Sequence, residues 1–377
     1  MEVNGSDDID FTMEVNGLQD TNGLDKVNGS DKVVENYKKF PQEIVNVDEA
    51  TEERVLRHFK GPMAALVQVG PEKWILPKLY PQCAEKLYNF EARSDDIWIS
   101  TYSRSGTTWT QEMIWLLCND LNYEAAKAAP LMVRFPYFEL EGFLPGVKEL
   151  DEPNDVIAPS AVEILGKMTS QRFIKTHLPI QLMPHDALAK GCKIVYVARN
   201  PKDVLASLSH FVKNPGILYE GNFQQLADFF IDDLIVYSPF FEHIKDGWNR
   251  RNESNVLFLF YEDLVMDLKN SLKKLANFLE RPLSDNDLPE LMQHLNIKNF
   301  KQNESINIKL TEQYRTGEWE FVRRGKVGGN PEITPEIAEK VDAWTEKRLK
   351  GTGIKFPHQL RHKLEMYNMQ ANKQWKK

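Results

Sequence analysis

The chain has 377 residues, 42% hydrophobic and 27% charged, enough apolar material for the core of one large domain or two small ones. Its formal charge of −8 is concentrated in residues 1–35, where nine acids and two bases leave −7, so the remainder is nearly neutral and a nucleic-acid surface is not indicated. Cys83, Cys118 and Cys192 are too few and too scattered for a disulfide framework or a CxxC metal site, and no apolar run approaches the ~20 residues that cross a bilayer, so the expectation is a soluble, cytoplasmic protein with no membrane span.

Residues 1–35 repeat Met-Glu-Val-Asn-Gly at 1–5 and 13–17 and hold one aromatic, Phe11. Such a segment buries too little apolar surface to offset the cost of ordering, which predicts a disordered acidic tail, with a globular body over 36–377. From Tyr37 to Asn89 the pattern is helical and mixed. Asp96-Ile97-Trp98-Ile99 opens an apolar strand that runs into Ser103-Arg104-Ser105-Gly106-Thr107-Thr108, after which Trp109, Met113, Leu116 and Leu117 recur at helical spacing. A strand, a tight loop and a helix follow one another there. The loop sets backbone N–H groups, three hydroxyls and a guanidinium at a helix N-terminus, where an anion is favoured. It lacks the Gly-Lys of the nucleotide-kinase loop, and taken alone it equally fits an ordinary strand-to-helix turn.

Leu131–Leu144 is crowded with aromatics, 149–159 is a polar loop with prolines, and Ala161–Lys167 is a short helix. Arg172–Thr176 reads as a strand ending at His177, and Lys193–Arg199 as a strand buried on both faces. Asn200 as N-cap and Pro201 at the first position open a helix with Val204, Leu205, Leu208 and Phe211. Phe223–Ile244 is one long helical pattern, Asn255–Tyr261 a strand, and further helices lie near 267–280, 285–296 and 335–349. Alternating strands and helices predict an α/β single domain: a mostly parallel central sheet flanked by helices, with a P-loop-like strand-loop-helix. Ligands bind at the carboxyl ends of such strands, a rule that gathers Ser103 to Thr108, Lys175 to His177, Arg199 and Tyr261 on one rim.

Five segments occur in the order found in the cytosolic sulfotransferases: Arg104-Ser105-Gly106-Thr107-Thr108-Trp109, Lys175-Thr176-His177-Leu178-Pro179, Arg199-Asn200-Pro201-Lys202-Asp203 to Ser207, Phe260-Tyr261-Glu262-Asp263, and Arg323-Arg324-Gly325. Over about residues 70–357 the chain resembles that family, and looks most like its insect members, retinol dehydratase among them. The resemblance implies transfer of a sulfonate from phosphoadenosine phosphosulfate (PAPS) to a hydroxyl of a small apolar acceptor, without a metal. It implies that Arg104 to Thr108 hold the 5′-phosphosulfate, that Arg199, Ser207, Arg323, Arg324 and Gly325 take the 3′-phosphate, and that Trp109 and Tyr261 contact the adenine. His177 becomes the general base, with Lys175 and Arg104 stabilising charge.

Phe135, Tyr137, Phe138, Phe143, Phe211 and Phe240, with His177, fall in segments that line the family's acceptor pocket. The chain departs from the family twice: Arg104 stands where lysine is usual, and Gly325-Lys326-Val327-Gly328-Gly329-Asn330-Pro331 lacks the usual dimer motif. A homodimer on that motif is therefore not implied. Elimination of the sulfate after transfer, as retinol dehydratase performs it, remains open, and so do a catalytically idle PAPS- or lipid-binding protein and, less well matched, a nucleoside kinase.

Overall fold

The computed structural model describes residues 37–61, 63–143, 160–214, 216–306, 322, 325 and 327–357. The predicted tail, the polar loop at 149–159, Arg323, Arg324 and Lys326 lie outside them. Among the described residues, β1 (Ile44–Asn46), β2 (Leu66–Val69) and β3 (Trp74–Pro77) pair antiparallel in that order. β4 (Ile97–Ser100), β5 (Phe173–Thr176), β6 (Lys193–Ala198) and β7 (Val256–Phe260) pair parallel in the order β5-β4-β6-β7.

The parallel sheet separates two cores. Ile97 and Ile99 join Val195, Val197, Leu257 and Leu259 on one face, packed with Met113, Leu116 and Leu117 of the helix Thr107–Cys118 and Leu272 and Leu275 of the helix Leu268–Phe278. On the other face Trp98, Ile194, Tyr196 and Phe258 meet Val204, Leu205 and Leu208 of the helix Pro201–Phe211 and Phe240, Phe241 and Ile244 of the helix Phe240–Asn249. Strands buried on both faces show no polar alternation, which is why they read as unbroken apolar runs. At the amino ends of β4 and β5, Arg172 donates to both Asp96 oxygens at 2.6 Å, a fully buried pair that holds the edge opposite the site. No helix among the described residues is long and apolar enough to cross a membrane.

Two expectations are corrected. The mixed helical region over 37–89 contains the antiparallel sheet, whose strands of three or four residues are too short to carry a periodicity. The long helix over Phe223–Ile244 is two, Phe223–Ile231 and Phe240–Asn249. Between them the backbone turns left-handed at Asp233 and Tyr237, and hydrogen bonds of 2.7 Å from Tyr237 N to Ile75 O and from Ile75 N to Ser238 O fasten the break to β3. Tertiary hydrogen bonds override the helical spacing of Leu234 and Tyr237 there.

Candidate active site

All four parallel strands point their carboxyl ends at one rim. After β4 the chain turns left-handed at Arg104 (φ +70°) and again at Gly106 (φ +100°), the N-cap of the helix Thr107–Cys118. Left-handed residues beside a helix N-terminus are a feature of anion-binding nests. A Cβ on Gly106 would lie 2.4 Å from Cδ2 of Tyr261, so the position needs glycine both for its φ and for the ring above it. Ser105 is fully buried and its hydroxyl finds no hydrogen-bond partner among the described residues. The Thr101 and Thr107 hydroxyls share a 2.6 Å hydrogen bond that braces the loop.

Three cations converge on this loop. Arg199, directly after β6, donates to Arg104 O at 2.9 Å and stacks 4.3 Å from the centre of the Tyr261 ring. Its Nε is buried without a partner among the described residues. Arg104 donates through Nε to Ser207 Oγ at 3.1 Å and lies over Phe211. Lys175, in β5, is half-buried with its ammonium 4.2 Å from the Tyr137 ring centre. Burial pushes its pKa down to about 8 and the Arg104 charge adds to the shift, against the opposing pull of Glu139. Buried donors lacking partners and a destabilised ammonium together describe a pocket whose electrostatics an anion would complete. Trp109 meets Tyr261 edge-on at 6.0 Å and donates its indole N–H to Leu295 O at 3.0 Å.

His177 follows β5. Its Nδ1 lies 2.9 Å from Thr101 O, an atom that only accepts, so Nδ1 carries the ring proton and Nε2 keeps its lone pair. Burial, reinforced by the Lys175 charge, holds its pKa well below the usual imidazole value, so the ring is neutral at pH 7. Tyr137 and Tyr237 flank it, each ring centre 5.4 Å away, and hydrogen-bond to each other through their hydroxyls.

A cavity of about 680 Å³ runs from the loop to these tyrosines. Arg104, Gly106, Thr107, Thr108, Trp109, Lys175, His177, Arg199, Ser207, Tyr261 and Gly325 line it, as do Tyr137, Phe143 and Phe211. Ser105, within the loop, is fully buried and is not part of that lining. Phe135, Phe138 and Phe240 are corrected: all three are fully buried in the cores, Phe138 against Trp98 and Phe90, Phe240 against Tyr102 and Phe241, and Phe135 against Phe173. Apolar rings at helix ends and in turns have the same composition whether they face core or cavity. Tyr237, Ile235, Val236, Met63 and Ile217 also line the cavity and were not singled out; the Ser238-Pro239 pair was the available signal that the helix stops short of Tyr237.

The family model for the sulfotransferase domain matches residues 94–353. The chain belongs to the sulfotransferase family. A relative among curated proteins, the luciferin sulfotransferase of Photinus pyralis, is 33% identical to this sulfotransferase over 329 residues, 83% of this chain and 87% of that protein. A crystal structure of retinol dehydratase in complex with androsterone and inactive cofactor PAP superposes with a TM-score of 0.76 at 32% identity, covering 85% of this chain and 99% of that one. Another, of retinol dehydratase with retinol and PAP, gives 0.76 at 31% identity, covering 84% and 99%. The antiparallel sheet precedes the residues of the family match.

Proposed function

We propose that this sulfotransferase moves a sulfonate from PAPS to the hydroxyl of a small apolar acceptor, with His177 as general base. The observation that carries the reading is the meeting, in one cavity, of three cations, one of them Arg199 with its buried Nε unpartnered among the described residues, and a neutral imidazole whose Nε2 is unprotonated. The loop Arg104–Thr108 would hold the 5′-phosphosulfate, Arg199 and Ser207 with the backbone of Gly325 the 3′-phosphate, and Trp109 and Tyr261 the adenine. Arg323 and Arg324 are assigned to the 3′-phosphate from the family motif alone. The buried Nε of Arg199 fits such a ligand, because it gains the acceptor it lacks among the described residues.

In the transfer, Nε2 of His177 takes the acceptor's hydroxyl proton as that oxygen forms a bond to sulfur and the bond from sulfur to the phosphate oxygen breaks. Lys175 and Arg104 neutralise the charge that gathers on the departing oxygen. Tyr137, Phe143 and Phe211, with Tyr237, form an aromatic wall suited to a flat or elongated apolar alcohol or phenol. Arg104 serves in place of lysine, already oriented by Ser207 and Phe211.

The two perturbed groups set a pH window. His177 must be neutral and its pKa is depressed, so the acid limb of kcat/KM for PAPS falls well below pH 6.5. Lys175 must be charged and its pKa is also depressed, so the alkaline limb lies near pH 8. In the profile of kcat the alkaline limb moves higher, since a bound dianion stabilises the ammonium. An acid limb at pH 6.5 or above would contradict the assignment.

Labelled-sulfonate transfer from PAPS to a panel of phenols, steroids and retinoids tests the function. Nucleotide binding without product on any acceptor would leave an idle binding protein. A second reading, elimination through a sulfated intermediate, draws on the likeness to retinol dehydratase. Retinol and PAPS would then yield anhydroretinol, whereas lasting transfer yields the sulfate ester.

A further inference from the structure

His177 is held at more points than its ring alone requires. Its backbone N–H donates to Glu139 Oε1 at 2.6 Å, and its carbonyl accepts from His243 Nε2 at 2.9 Å. The second Glu139 oxygen accepts from the Thr176 hydroxyl at 2.8 Å. Because His243 Nε2 faces a carbonyl it bears the proton, and Nδ1 is left to accept from the Tyr196 hydroxyl at 2.6 Å. Trp74 and Tyr102 stand edge-on to the His243 ring at 5.9 and 5.8 Å and fix its plane.

Glu139 and His243 are 1% and 0% exposed, and neither lines the cavity. Burying a carboxylate and an imidazole is costly unless each is fully bonded. Here each spends one bond on the backbone of His177, from opposite sides of its Cα, and the other on a neighbour that holds it in place, Thr176 for Glu139 and Tyr196 for His243.

We propose that Glu139 and His243 are positioning residues for the reaction: together they clamp the backbone of His177 so that Nε2 faces the acceptor hydroxyl. Glu139 also lies two residues beyond Tyr137, so the same carboxylate ties the acceptor wall to the base. The proposal rests on His177 being the base.

Steady-state kinetics of Glu139→Ala, Glu139→Gln, His243→Phe and His243→Gln, run beside His177→Ala and with PAP binding measured by calorimetry, test it. Glu139→Ala and His243→Phe are expected to lose about 10- to 100-fold in kcat, the range that a small misplacement of a catalytic group produces, with KM for PAPS unchanged. Both glutamine variants restore most of the rate. At 139 the carboxamide oxygen still accepts from His177 N–H while its NH₂ donates to Thr176 Oγ1, and at 243 the NH₂ reaches the His177 carbonyl. Glu139→Ala and His243→Phe proteins that bind PAP and keep the wild-type kcat overturn the clamp. So does Glu139→Gln being as slow as Glu139→Ala, which would make the charge rather than the bond responsible. Slow His177→Ala with fast Glu139→Ala defeats the clamp alone; fast His177→Ala defeats the base beneath it. If Glu139→Ala fails to bind PAP, His243→Phe decides by the same two outcomes.

Discussion

His177→Ala is expected to lower kcat for sulfonate transfer by about 10²- to 10⁴-fold, the usual contribution of a positioned general base, while affinity for PAP stays near wild type. Binding should survive because the groups proposed to take the phosphates, Ser105, Arg199 and the loop around Gly106, belong to β4 and β6 and their loops rather than to β5. The ring sits between Tyr137 and Tyr237, so its loss leaves a space into which those rings can relax. His177→Asn separates the two effects: a carboxamide can keep a bond to Thr101 O yet offers no basic nitrogen. Stopped transfer in both variants, with PAP still bound, supports the base; wild-type turnover in either removes His177 from the chemistry.

Gly106→Ala carries the second large effect. An alanine at φ +100° costs roughly 1–2 kcal/mol for the left-handed backbone, and a Cβ 2.4 Å from the Tyr261 ring adds an overpacking cost of about 1–3 kcal/mol. The loop or the Tyr261 ring can accept the methyl only by moving, which disturbs the helix N-terminus proposed to hold the phosphosulfate. Affinity for PAP is therefore expected to fall by at least about tenfold, the equivalent of 1.4 kcal/mol, together with a lower Tm. Gly106→Ala combined with Tyr261→Ala removes the clash but keeps the backbone strain, so it should regain Tm only in part relative to the two single changes. Wild-type affinity in Gly106→Ala would show that the curl is not needed for the nucleotide.

The parallel sheet and its rim were legible because unbroken apolar runs such as Lys193–Ala198 end abruptly in glycine, proline or hydroxyl residues, and one topological rule then gathers their ends. Asn200 capping Lys202 N at 3.0 Å, with Pro201 at the first helical position, follows from local chemistry alone. The antiparallel sheet was not legible, since three- and four-residue strands leave no period and their pairing depends on distant partners. Tyr237 was misplaced for the same reason: its helical spacing is real, but bonds to Ile75 decide its conformation. Among the aromatics, Tyr137, Phe143 and Phe211 reach the cavity and Phe135, Phe138 and Phe240 do not, a distinction set by tertiary packing rather than by residue type.

The attachment of Tyr237 to β3 divides the labour between the sheets. The groups proposed to face the nucleotide hang from β4, β6 and β7, whereas one side of the proposed acceptor wall is fastened to a small sheet that precedes the family match. Mutations accumulating in that N-terminal layer can re-tune which alcohols are accepted while leaving the shared donor untouched. A library aimed at new acceptors would start from β2 and β3 and spare the rim.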